Sequence, residues 1–395
     1  VLAPITAENF FSSYWFKSYL HVHGSPSRFA GLLPWEDLNR ILEQHSLEAP
    51  QLRLMKAGHL VDQDSYTEPR LRDGQVRLKL VAKDLTEELR NGATLVIDHA
   101  DRLHSPLTLL AESFERRFSA RVNVNVYAAF GGSPAVDTHC DDHEVFVLQL
   151  SGRKRWLLYG KGGKGEERKE APPHPIWEQV LTDGDLLYIP RGWWHAAVPI
   201  GEPCLHLTVG VALPSAVDVL NWIANELRSD DVGELCVSRF ASPSERLAFV
   251  DRLRRAVVEK LQPGILDQYF DKTDLDRSAA QHMCLPWAAT PHALPADDDA
   301  LIRIASRRPP LVRMDADTRG LRLRAGKKTW TFPAVMKPIL DALCDGSFVP
   351  LGRLVAAGRY TVGEDMARAF VGLLIKQGVA FVAESNPMVP RIPPP

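Results

Sequence analysis

Thr138-His139-Cys140-Asp141-Asp142-His143-Glu144-Val145-Phe146-Val147-Leu148-Gln149-Leu150-Ser151-Gly152-Arg153-Lys154-Arg155-Trp156 decides how the chain is read. Side chains alternate across a strand, so His139 and Asp141 at i and i+2 share a face and can hold one ion between them. A third ligand has to come from a distant strand. Gly184-Asp185-Leu186-Leu187-Tyr188-Ile189-Pro190-Arg191-Gly192-Trp193-Trp194-His195 supplies it, because an apolar run and a Pro-Arg-Gly turn set His195 at a strand end. Two imidazoles and one carboxylate with positions left open form the set used by non-haem Fe(II) oxygenases. A lone His-x-Asp is common in ordinary strands; the second run, Lys154 and Asn125 give this one its weight.

Working outward, Val122-Asn123-Val124-Asn125-Val126-Tyr127 alternates as a strand, with Asn125 and Tyr127 on one face. Phe146–Leu150, a Ser151-Gly152 turn and Arg153–Tyr159 form a hairpin. If Arg153 and Arg155 face solvent, Lys154 faces inward. Leu205–Val209 is a last strand with His206 and Thr208 on one face. Lys161–Lys169, rich in glycine and charge, reads as a mobile surface loop. It lacks the Gly-Lys-Ser/Thr order of a phosphate loop, and no helix follows.

These motifs resemble the JmjC-type ribosomal oxygenases of the cupin superfamily over about residues 90–212. The resemblance implies a double-stranded β-helix (jelly-roll or cupin barrel) and Fe(II)- and 2-oxoglutarate-dependent hydroxylation of ribosomal-protein side chains. It also implies iron on His139, Asp141 and His195, the distal carboxylate of 2-oxoglutarate on Lys154, Asn125 touching the cosubstrate, and Tyr127 beside the substrate. His206 and Thr208 are expected at the cosubstrate too. In relatives that hydroxylate histidine a serine lies two residues past the Thr208 match; this chain has Gly210, so histidine specificity is not inherited.

At 395 residues the chain is long enough for two or three domains, and 45% hydrophobic with 24% charged residues is the composition of a soluble globular protein. No apolar run reaches the roughly 18 residues that a membrane span needs. The first residue is Val, so the native start is expected upstream. Five scattered cysteines without a Cys-x-x-Cys pair argue against a disulfide scaffold and for a reducing cytoplasm, which also suits ferrous iron. Residues 301–395 carry 15 Lys or Arg against 7 Asp or Glu, a basic end that fits either an RNA or ribosome contact or a solvated face.

The expected organisation is α+β: an oxygenase domain with its N-terminal cover over 1–212, a helical dimerisation region over 213–285, a linker over 286–299 and a winged-helix-like domain over 300–395. Val217–Leu227 and Ser244–Leu261 are amphipathic helices, with Leu220, Ile223 and Leu227 on one face of the first and Leu247, Val250, Leu253 and Val257 on the second. Such stripes are buried either in a homodimer or on the chain's own barrel. Three functions compete. The first is a 2-oxoglutarate-dependent hydroxylase of a protein, ribosomal first, or of a peptide natural-product precursor. The second is a cupin-type metalloenzyme that does not use 2-oxoglutarate, and the third is a binding module without iron; Lys154 and Asn125 argue against the second and the intact triad against the third.

Overall fold

The computed structural model describes residues 1–72, 74–162, 170–276, 282–290, 294–315, 320–325 and 328–383. By its contacts the chain divides into one unit ending at Leu213 and a second beginning at Pro214. The first unit holds β1 (Leu20–Val22), β2 (Leu52–Lys56), β3 (His59–Leu60), β4 (Thr67–Arg72), β5 (Gln75–Leu80), β6 (Thr94–Ile97), β7 (Arg121–Ala129), β8 (Glu144–Ser151), β9 (Lys154–Lys161), β10 (Trp177–Leu181), β11 (Leu186–Ile189), β12 (Trp193–Pro199) and β13 (Cys204–Ala212). Its helices include α1 (Ala7–Asn9), α2 (Trp35–Gln44), α3 (Ala82–Arg90) and α4 (Ser105–Phe118). Eight strands form one sheet in the order β1-β11-β8-β13-β7-β6-β2-β3, and β10-β9-β12 form another.

Alternation sorts the two faces of the large sheet. Val145, Val147, Leu187 and Ile189 pack against Trp156, Leu158 and Leu181 of the small sheet, so the two sheets close on each other as a double-stranded β-helix. The opposite face carries Phe146, Leu148, Tyr188, Val124, Val126, Leu207 and Val209. These join one core with Phe10, Leu38 and Ile41 of the N-terminal segment and Leu107 and Phe114 of α4, so residues 1–90 are a cover continuous with the barrel. Burying that apolar face against helices is the hydrophobic effect acting on a patterned sheet. Residues 163–169 of the expected surface loop lie outside the described residues.

The second unit opens with α5 (Ala216–Glu226) and α6 (Pro243–Lys260), each started by a capping box, Ser215 with Asp218 and Ser242 with Glu245. A further helix, α7 (Ile265–Asp276), was not expected from the sequence. Then come β14 (Leu301–Ile304), β15 (Leu311–Met314), β16 (Leu321–Ala325), β17 (Lys328–Phe332), α8 (Lys337–Cys344), β18 (Val349–Pro350), α9 (Leu351–Val362), α10 (Glu364–Lys376) and β19 (Ala380–Val382). Two three-stranded sheets, β18-β14-β19 and β15-β16-β17, share one core with the three helices. The expected linker is not loose in its described part: Trp287 and Leu294 pack on that core, and Cys284 Sγ accepts the Val382 N–H at 3.1 Å. Its apolar residues outweighed its prolines and aspartates. The stripe expected on α5 is also split, since Ile223 and Leu227 are buried while Leu220 is exposed. Among the described residues no helix is long and apolar enough to cross a membrane.

Candidate metal centre

His139 and Asp141 do not sit on a regular strand. β8 begins only at Glu144, and His139 makes an isolated antiparallel bridge with His195. The two residues exchange both backbone hydrogen bonds, His139 N to His195 O at 3.1 Å and His195 N to His139 O at 2.8 Å. Gly192 N–H bonds Asp141 O at 2.8 Å, which ties the second ligand to the turn ahead of β12. Backbone pairing across the barrel mouth thus brings the three side chains together: Asp141 Oδ1 lies 4.0 Å from His139 Nε2, and Asp141 Oδ2 lies 3.6 Å from His195 Nε2.

Both imidazoles are oriented for a metal. His139 Nδ1 faces the Asp137 carbonyl at 2.8 Å and His195 Nδ1 the Trp193 carbonyl at 3.0 Å. A carbonyl can only accept, so each Nδ1 carries the proton and each Nε2 presents a lone pair to the others. Burial, and after it the neighbouring His139, pushes the His195 imidazole down to about 4, so it is neutral at pH 7. A divalent ion with three protein ligands fits this donor set.

Beyond this three-residue cluster the barrel holds a buried cation. Lys154 is only 1% exposed, while Arg153 and Arg155 on either side reach solvent. Desolvation pulls its ammonium down to about 8, so it is charged in most molecules at pH 7. Among the described residues no carboxylate pairs with Lys154, and its Nζ lies 5.9 Å from the Tyr127 ring centroid. His206 stacks on Tyr127 with centroids 4.9 Å apart, and Trp156 meets His206 edge-on at 5.5 Å. Burial first, and then Lys154, hold His206 well below its ordinary value. Partial burial raises the Tyr127 phenol to about 12. His206 Nδ1 and Trp156 Nε1 are buried without a hydrogen-bond partner. A buried ammonium and orphaned polar atoms in one cluster of side chains suit a dianionic ligand.

The other expected residues line the same sheet. Thr208 faces Asn125 in the β13–β7 register. Asn125 Oδ1 accepts the His99 N–H at 3.0 Å and the Asn123 amide at 3.2 Å, so that oxygen holds the fold locally. Sequence reasoning missed three features. Gln149 is fully buried and donates to the Ser151 and Gly152 carbonyls at 3.0 and 3.1 Å. Arg53 and Asp98 make a two-bonded pair at 3.0 and 3.1 Å that acts on the Tyr127 hydroxyl. His143, two residues past Asp141, is half-buried with Nδ1 unpartnered. Only Gln149 left a signal, a polar residue inside an apolar run.

A metal-ready His2Asp set in the mouth of a double-stranded β-helix defines a JmjC-type, cupin-like domain. Residues 102–219 match the JmjC domain family. The chain is 28% identical over 222 residues to the bifunctional lysine-specific demethylase and histidyl-hydroxylase NO66 of Drosophila willistoni, covering 53% of this chain and 28% of that protein. To ribosomal oxygenase 2 of Rattus norvegicus it is 29% identical over 251 residues, covering 59% of this chain and 52% of the relative. It therefore spans about half or less of the length of these relatives. In structure it is similar to the Escherichia coli ribosomal oxygenase YcfD, with a TM-score of 0.61, 19% identity, and coverage of 96% of this chain and 98% of that one. The JmjC match thus lies on residues 102–219, and over the stretches given the chain is similar to ribosomal oxygenases.

Proposed function

We propose that the chain is an Fe(II)- and 2-oxoglutarate-dependent oxygenase that hydroxylates an amino-acid side chain of a protein, with a ribosomal protein as the first candidate. The observation that carries this is the pairing of the His139, Asp141 and His195 donor set with the buried ammonium of Lys154, which meets no carboxylate among the described residues, in one barrel. A similar fold, the YcfD ribosomal oxygenase, has been determined in complex with cobalt and 2-oxoglutarate. When bound, Fe(II) with 2-oxoglutarate supplies the oxidation of an unactivated C–H bond by dioxygen, releasing succinate and carbon dioxide.

The protein's own residues do the rest. His139, Asp141 and His195 hold the ion, and the Asp137 and Trp193 carbonyls keep the imidazole tautomers fixed. Lys154 takes the far carboxylate of 2-oxoglutarate, with Asn125, His206 and Thr208 beside it. Trp156 and the Tyr127–His206 stack exclude water from the inner end. Tyr127 and the Arg53–Asp98 pair face the side from which a substrate side chain enters. Succinate release with and without isolated ribosomal proteins, read together with mass spectrometry of those proteins, tests this function.

The second unit is proposed to serve assembly and docking. Leu220 on α5 and Leu247, Val250 and Leu253 on α6 are exposed, and we assign them to a homodimer contact. The three helices and small sheets of residues 300–383 are assigned as a winged-helix-like module that contacts protein or RNA of the ribosome. Cytoplasmic location is proposed from the five free cysteines and the need to keep iron ferrous.

A further inference from the structure

A second set of metal-ligating side chains lies at the other end of β11 from the centre above. His21 is on β1 and His23 just beyond it, at i and i+2 on one face, with ring centroids 4.3 Å apart. β1 pairs antiparallel with β11 through His21 with Leu187 and Val22 with Leu186, so Asp185 lies across from His23. His21 Nε2 is 3.5 Å from Asp185 Oδ2, and His23 Nδ1 is 3.5 Å from Asp185 Oδ1. One ligand atom from each of the three lies within 4.8 Å of the others.

Two observations set this cluster apart from an ordinary polar contact. The His21 side chain is 10% exposed, and its Nε2 is buried with no hydrogen-bond partner. At 3.5 Å from Asp185 it lies beyond the roughly 2.7–3.2 Å of an N–H···O bond. Asp185 is equally prepared. Its Oδ2 accepts from Thr182 N at 2.9 Å and from Thr182 Oγ1 at 3.3 Å, and its Oδ1 accepts Gly24 N–H at 3.0 Å. Three of about four acceptor sites on a carboxylate are thus used, and the remaining one, on Oδ1, is on the His23 side.

We propose that His21, His23 and Asp185 form a second divalent-metal site that takes Zn2+ and is distinct from the iron centre. Asp185 Oδ1, which keeps the free acceptor site, stands 3.5 Å from His23 Nδ1, close to the roughly 3.4 Å between ligand atoms about 2.1 Å from a tetrahedral ion. Two imidazoles and a carboxylate suit zinc, and the fourth position faces solvent beside His23, which is 81% exposed. β1 is the edge strand of the large sheet, so the ion staples that edge to β11 and fixes the turn that starts β11. The site does not depend on the oxygenase function: it shares no residue with the His139 cluster.

The test uses the full chain stripped of metal with a chelator and titrated with Zn2+ against a chromogenic competitor. The parent is expected to bind two equivalents and the His139→Ala/His195→Ala variant one. His23→Ala, which removes a largely exposed ring that meets His21, is expected to lose one equivalent or at least about tenfold in its affinity. His23→Ala is also expected to keep succinate production, and Zn2+ is expected to raise the melting temperature of the His139→Ala/His195→Ala variant but not when His23→Ala is added. Retention of two equivalents with unchanged affinity in His23→Ala overturns the site, as does a parent that binds a single equivalent lost in His139→Ala/His195→Ala. A single equivalent that persists in His139→Ala/His195→Ala supports this site and counts against the iron centre instead.

Discussion

Gly210 of β13 and the His143 ring are packed so closely that a Cβ at position 210 would stand 2.7 Å from ring atoms Cδ2 and Nε2. The same Cβ would be 2.6 Å from Asn123 Oδ1. Both neighbours are ends of side chains, so they can swing away, and His143 is half-buried. Gly210→Ser, the residue carried at the matching position by the histidine hydroxylases this chain resembles, is therefore expected to fold and to bind iron. Displacing His143 next to Asp141 is expected to lower protein hydroxylation more than uncoupled 2-oxoglutarate turnover. The ratio of hydroxylated product to succinate checks this.

Lys154 separates cosubstrate binding from metal binding. Removing one partner of a buried charged pair costs about 2 to 5 kcal/mol, so Lys154→Ala is expected to weaken 2-oxoglutarate binding at least tenfold while iron affinity is unchanged. An unaltered apparent affinity for 2-oxoglutarate would show that the ammonium does not meet the ligand.

The same lysine gives a pH signature. Its folded-state value of about 8 lies below the 10.5 of a free lysine, so between these values the unfolded chain binds more protons than the folded one. Stability of the ligand-free protein is thus expected to rise from pH 8 to about 10.5 relative to Lys154→Met, the burial cost disappearing as the charge is lost. Over the same range 2-oxoglutarate affinity is expected to fall, because the neutral amine no longer answers the carboxylate. Chemical denaturation and ligand titration across this range check the two opposite slopes.

Assembly rests on exposed side chains of α5 and α6. Leu220→Asp and Leu253→Asp are expected to convert a dimer to a monomer in sedimentation while the chain stays folded by circular dichroism, since both side chains are exposed in the single chain. Ile223 is unsuitable for this purpose, because it is already buried in the single chain. A parent protein that sediments as a monomer at micromolar concentration removes the dimer from the account.

The sequence made the barrel legible through alternation, which is why Val122–Tyr127, Phe146–Leu150 and Leu205–Val209 fall inside β7, β8 and β13. Alternation also sets Lys154 inward between two exposed arginines. It misled at the metal ligands, because His139 and Asp141 share a side through cross-barrel backbone pairing and not through a regular strand. Contacts between distant segments stayed hidden for the same reason: nothing local announces that His21 meets Asp185 or that Arg53 meets Asp98. Helix α7 was passed over because Ile265, Tyr269 and Phe270 sit among charges that blur its stripe. Trp287 and Leu294 were overlooked inside a stretch dominated by proline and aspartate.

His139, Asp141 and His195 are proposed to hold the iron that drives hydroxylation of a protein side chain. The most direct measurement is succinate formed by iron-loaded parent, His139→Ala, His195→Ala and Asp142→Ala proteins under identical conditions, with mass spectrometry of added ribosomal proteins. Parent and Asp142→Ala, whose side chain is exposed, are expected to release succinate and to add one oxygen atom to a protein, and the two histidine variants to do neither. Full turnover in His139→Ala or His195→Ala would contradict the account.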